Sequence, residues 1–148
     1  MLSGFWGGNH WEEAVKLARP GGVVLLTGAW SAVEPERGRY DDEVMASYRR
    51  ALLEAREKDV EVLVCLHDGA LPDWMLERGG WQDADAIAPW GCYVDHLARG
   101  ISELVAGWVV FDGMLEEAAA YGNHAPDVLR RLVDAHAAAY LMLRRQPG

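Results

Sequence analysis

Three short apolar runs, Val23–Leu26, Val62–Leu66 and Trp108–Phe111, constrain this chain more than any other feature. Each is rich in Val or Leu, or in Val with aromatics, and lacks strict apolar–polar alternation. That is the pattern of a parallel strand covered on both faces. Helical patterns lie between them. Trp11–Ala18 begins acidic and turns basic, in line with the helix dipole, and is stopped by Pro20-Gly21-Gly22. Asp41–Lys58 places Val44, Tyr48, Leu52 and Ala55 at helical spacing, which predicts one buried stripe. Asp83–Leu104 does the same with Trp90, Val94, Leu97 and Ile101, with Pro89 near its start and Gly100 a potential break. The last helix opens at Asn123-His124-Ala125-Pro126, with proline in the first turn. It runs through Val128, Leu132, Ala135, Ala139 and Leu143 and stops at Pro147-Gly148. Strand and helix thus alternate, which predicts right-handed βαβ units on a parallel sheet, an α/β fold. No repeat or linker divides the chain, so residues 1–148 read as a single domain, with the small-residue connection Ala118–Asn123 the nearest thing to a boundary.

A chain of 148 residues suffices for one domain with a real core. Its 51% hydrophobic and 25% charged content argue against disorder. The net charge of −9 repels phosphate backbones and anionic lipid, so neither nucleic acid nor membrane is an expected partner. Cys65 and Cys92 are too few for a disulfide framework, and both read as buried free thiols. There is no signal-peptide pattern and no bilayer-spanning apolar stretch, so the expected location is the cytoplasm.

Three blocks carry a family resemblance. The first is Trp30-Ser31-Ala32-Val33-Glu34-Pro35-Glu36-Arg37-Gly38-Arg39-Tyr40. The second is Val64-Cys65-Leu66-His67-Asp68-Gly69-Ala70-Leu71-Pro72-Asp73-Trp74, and the third Leu76-Glu77-Arg78-Gly79-Gly80-Trp81. In this order and at these distances they resemble glycoside hydrolase family 1, the β-glucosidase-like family. Asn9-His10-Trp11-Glu12-Glu13 is similar to the family's first helix, and Phe5-Trp6-Gly7 is a trace of its first strand. The family fold is an eight-stranded (β/α) barrel of ~250 residues or more. The resemblance therefore implies an incomplete, half TIM-type (β/α) barrel, reaching about the fourth strand and its helix.

It also implies what the active site lacks. Retaining glycoside hydrolysis uses two carboxyl groups ~5 Å apart, a nucleophile and a proton donor that later acts as base. The family carries the acid/base as the Glu of Asn-Glu-Pro after the fourth strand, where this chain has Asp112-Gly113-Met114. The family's nucleophile follows its seventh strand, a position past residue 148. The strand-two Arg corresponds to Ala32, the sugar-binding His to Asp68, and the Trp after it to Gly69. Asp112 and Asp68 are the residues able to substitute as catalytic carboxylates, since both sit at strand ends and like charges at close range can raise one pKa; Glu116 is a further candidate for the missing acid. Solvated remnants of a dead site are the alternative. Ligand-binding candidates are Trp30, His67, Asp68, Trp74 and Asp112. The other tryptophans read as core, and His96 and His136 as packing or surface residues. No ligand spacing indicates a metal, and no cofactor is expected.

A barrel stopped after about four strands leaves two unpaired edges and an apolar inner face with no opposite wall. Self-association, most simply as a two-fold dimer, would cover them, and so would the N-terminal segment folded over the opening. Three readings follow: a non-catalytic family relative that self-associates, a glycosidase with residual or altered activity, or a module binding a sugar or apolar small molecule in the open cleft.

Overall fold

The computed structural model describes residues 10–146. Phe5-Trp6-Gly7, the rest of the N-terminal segment and Pro147-Gly148 lie outside the described residues. α1 (Trp11–Leu17) leads into β1 (Val23–Thr27), a single helical turn α2 (Trp30–Val33) and α3 (Asp42–Glu57). β2 (Glu61–His67) follows, then α4 (Asp73–Leu76) and α5 (Ile87–Ile101). β3 (Gly107–Phe111), α6 (Met114–Ala119) and α7 (Ala125–Leu143) complete the order. The strands form one parallel sheet in the order β1-β2-β3, with Val23 opposite Glu61 and Leu63 opposite Gly107.

Local chemistry sets the helix limits. The Asp41 carboxylate caps α3 by accepting the backbone N–H of Glu43 at 2.9 Å and of Val44 at 3.1 Å. Lys58 Nζ donates to the carbonyls of Val15 at 2.8 Å and Lys16 at 3.0 Å, which satisfies the otherwise open end of α1. The α3 stripe buries Met45, Tyr48, Ala51, Leu52 and Ala55, so Tyr48, Leu52 and Ala55 fall as the spacing predicts while Val44 is only half-buried. Gly100 does not break α5, which runs on to Ile101. Pro126 lies in the first turn of α7, where its missing N–H costs nothing.

The core lies between the sheet and its helices. Leu26, Val62, Val64, Leu66 and Val110 join it from the strands. The alternate residues Leu25, Leu63 and Val109 remain half-buried and Val23 is 51% exposed. The expectation that both faces of the strands are covered is therefore corrected in part: on the inner face Leu25, Leu63 and Val109 stay half-buried, while Cys65 and His67, nearer the carboxyl end of the same face, are buried. The outer edges of β1 and β3 are unpaired by any described strand. Cys65 is buried as expected, but Cys92 is exposed. It shares a face of α5 with Arg99, seven residues on and also exposed, rather than the apolar face of Trp90 and Leu97. No described helix is long and apolar enough to cross a membrane.

Candidate functional site

The carboxyl ends of the three strands converge on a mouth built by the connections that follow them. After β1, the turn α2 drives Trp30 into the core, where it is 1% exposed and stacks on Tyr93 at 5.1 Å. Glu34 organises this connection from a position that is itself 1% exposed. One carboxylate oxygen accepts Trp30 Nε1–H at 2.8 Å and the other accepts the Gly38 backbone N–H at 2.7 Å. Its carbonyl accepts Trp74 Nε1–H at 3.0 Å. The Glu-Pro of the first block is thus a loop anchor. Glu34→Ala leaves the buried Trp30 indole N–H without its acceptor, so a stability loss of about 1–3 kcal/mol is expected by urea denaturation.

After β2, His67 is 2% exposed and Asp68 half-buried. The His67 ring lies edge-on to Trp81 and Phe111, both at 5.6 Å, and to Trp90 at 6.2 Å. Beneath them, Cys65 Sγ–H donates to the His67 carbonyl at 3.3 Å. Burial above all, with smaller contributions from the charges of Asp112 and Asp68, pushes the Cys65 thiol up to about 11. The thiol is therefore protonated and a poor nucleophile or metal ligand. Asp68 accepts the backbone N–H of Ala70 at 3.4 Å, while the exposed Asp112 is fixed through its own N–H, which donates to the His67 carbonyl at 2.9 Å.

After β3, Gly113 has φ +78°, in the left-handed region where L side chains are strained. The position lacks a carboxylate, and its backbone is shaped for glycine. Glu116 is exposed, but Glu117, one helical turn past Gly113, turns inward. Its Oε2 lies 3.3 Å from His67 Nε2, an ion-pair distance without hydrogen-bond alignment. Residue patterns give Glu117 no distinction from Glu116; only the three-dimensional path of α6 separates them.

The sequence-derived candidates divide accordingly. His67, Asp68 and Asp112 are together at the mouth. Trp74 is half-buried, edge-on to Trp30 at 5.8 Å and with its N–H engaged by Glu34, while Trp30 lies inside the core. His96 stacks on Tyr40 at 3.8 Å, and His136 is exposed beside Phe111. No group of three or more His, Cys, Asp or Glu placed to hold a metal ion occurs among the described residues. Along the open edge of β3 runs a groove of ≈ 640 Å³, lined by Trp108, Val109, Phe111, Met114, Tyr140 and Leu143 among others.

Residues 9–146 match the sequence pattern of glycosyl hydrolase family 1. The chain belongs to that family. Among curated relatives, it is 27% identical over 116 residues to the protein described as beta-glucosidase-like SFR2, chloroplastic, of Oryza sativa subsp. japonica. That match takes in 73% of this chain and 18% of the rice protein. The AHE enzyme from Alicyclobacillus herbarius superposes with a TM-score of 0.84 at 21% identity, over 94% of this chain and 35% of the other. The β-glycosidase from Pyrococcus horikoshii gives 0.83 at 23% identity, over 93% and 36%. The family 1 β-glucosidase from Thermotoga maritima in complex with isofagomine lactam gives 0.81 at 22%, over 93% and 35%. At these identities the likeness to the solved structures is one of fold. This family 1 chain spans about a third of their length, and its three described strands form an open portion of a (β/α) barrel.

Proposed function

We propose that this family 1 chain is a non-catalytic relative, a portion of a (β/α) barrel that associates with itself to cover its open edges. The observation that carries this reading is Gly113, held at φ +78° where the family places its proton donor. Ala32, Asp68 and Gly69, at positions where the family pattern has Arg, His and Trp, support it. The outer edges of β1 and β3, unpaired by any described strand, and the half-buried apolar side chains of the concave face support self-association, most simply as a dimer. Residues 1–148 act as one domain in this reading. The free thiols Cys65 and Cys92 fit a reducing cytoplasm, and the acidic charge fits partners other than nucleic acid or membrane.

Assays with chromogenic β-glucosides and β-galactosides test it. Neither the native chain nor Gly113→Glu is expected to turn over substrate, because the single change restores one carboxylate on a strained backbone and none of its neighbours. Turnover by Gly113→Glu overturns the reading. One observation favours a second reading, a glycosidase with residual or altered activity: the Asp112 N–H donates to the His67 carbonyl at 2.9 Å, which sets Asp112 beside the strand end that carries Asp68. Native turnover that vanishes in Asp112→Ala, with unchanged melting temperature, selects that alternative. The groove beside β3 favours a third, a module for a sugar or apolar small molecule, which ligand-induced melting shifts would reveal.

A further inference from the structure

The segment after β3 reaches back across the strand ends with two side chains one helical turn apart, Glu117 and Tyr121. Glu117 is the deeper of the two, with its side chain 10% exposed and Oε2 3.3 Å from His67 Nε2. Tyr121 Oη accepts the backbone N–H of Trp81 at 3.1 Å. Each side chain occupies a notch that a glycine leaves open. A Cβ at Gly69 would lie 3.1 Å from Glu117 Oε2, and a Cβ at Gly80 would collide with Tyr121 Oη. Beneath them lie three buried ring nitrogens, His67 Nδ1, His67 Nε2 and Trp81 Nε1, with no hydrogen-bond partner among the described residues. Most such buried groups in folded proteins are satisfied, so a cluster of three marks a place with a use for them.

The covering segment is short and docked on its neighbours. α6 has six residues, too few to hold a helix by itself, so its position depends on what it docks against. Inward, Ala118 is 3% exposed, whereas Leu115 on the outer side is 67% exposed. Gly113 at φ +78° and Gly122 at φ +57° bracket the segment, so each end turns on a glycine.

We infer that the stretch from Gly113 to Gly122 is a two-pronged lid, closed in this structure, over the buried ring nitrogens of His67 and Trp81. Glu117 and Tyr121 are the prongs, and opening the lid exposes the ring nitrogens to small polar molecules from solvent. The inference does not depend on whether the chain is catalytic or self-associated.

Two measurements on the full chain test it. The first is amide hydrogen exchange across a series of low denaturant concentrations. Residues 114–121 should exchange by a local opening that denaturant barely affects, while α5 exchanges only with global unfolding. If residues 114–121 open only together with α5, there is no lid. The second is labelling by diethyl pyrocarbonate, located by mass spectrometry. In the native chain His67 should react far more slowly than the exposed His124 and His136. In Glu117→Ala/Tyr121→Phe its labelling should rise at least tenfold with α5 exchange unchanged. Unchanged His67 labelling in that variant, or a rise that tracks faster exchange in α5, overturns the inference.

Discussion

Trp90→Ala is expected to lower the unfolding free energy by about 3–5 kcal/mol, a large share of the ~5–15 kcal/mol typical of a whole domain. Trp90 is fully buried at the meeting point of the strand ends and two helices. Its ring stacks on Phe111 of β3 at 5.2 Å and lies edge-on to Trp30 at 5.5 Å and Trp81 at 5.7 Å. Its indole N–H donates to the Ala135 carbonyl of α7 at 2.9 Å. Truncation thus removes ring contacts to both flanking connections and the indole's hydrogen bond to α7. The cavity cannot close cheaply, because its walls are other rigid rings. Urea denaturation followed by far-ultraviolet circular dichroism measures the effect. A loss under about 1 kcal/mol would mean that the cluster repacks and is not the keystone its contacts indicate.

Val109→Lys should leave the isolated fold intact yet weaken self-association about a hundredfold, corresponding to about 3 kcal/mol. Val109 lies on the edge strand β3, half-buried, outside the core cluster and on the lining of the groove. In a lone protomer a lysine there can extend its ammonium into water. In an assembly that seals the concave face, the same ammonium would be buried without a counterion, at a cost of several kcal/mol. The signature is a melting temperature little changed at high dilution together with a large rise in the dissociation midpoint by sedimentation or light scattering. A native chain that stays monomeric at micromolar concentration, with no apolar surface detectable by dye binding, would remove self-association from the proposal.

The long elements were readable because burial imposes a period on them. Tyr48, Leu52 and Ala55 on α3, and Trp90, Val94, Leu97 and Ile101 on α5, repeat at helical spacing and are buried as that spacing requires. The one-turn helices α2 and α4 are too short to repeat anything, and α6 hides in a run of small and acidic residues that reads equally well as a connection. Cys92 misleads because a cysteine counts as apolar in a pattern while helical rotation alone decides which side it faces. The candidate site shows the same division. His67, Asp68 and Asp112 were legible as strand-end residues because a parallel (β/α) fold puts functional side chains there. Trp30 reads as a ligand-binding candidate from its position in the block, but the turn of α2 rotates it inward to stack on Tyr93. Glu117 was invisible, since its meeting with His67 depends on a chain reversal across fifty residues that no local pattern encodes.

The strand order has a consequence for how the molecule comes into being. Because β1, β2 and β3 are neighbours in space in the order they occur in the chain, each new strand finds its partner among residues already synthesised. The two pairings, Val23 with Glu61 and Leu63 with Gly107, each span roughly forty residues, so closing the second loop costs about the same entropy as closing the first. Nothing must be threaded between strands already in place. A nascent chain leaving the ribosome can therefore add one strand–helix unit at a time, with the partly built sheet as template. Translation itself supplies the order of assembly.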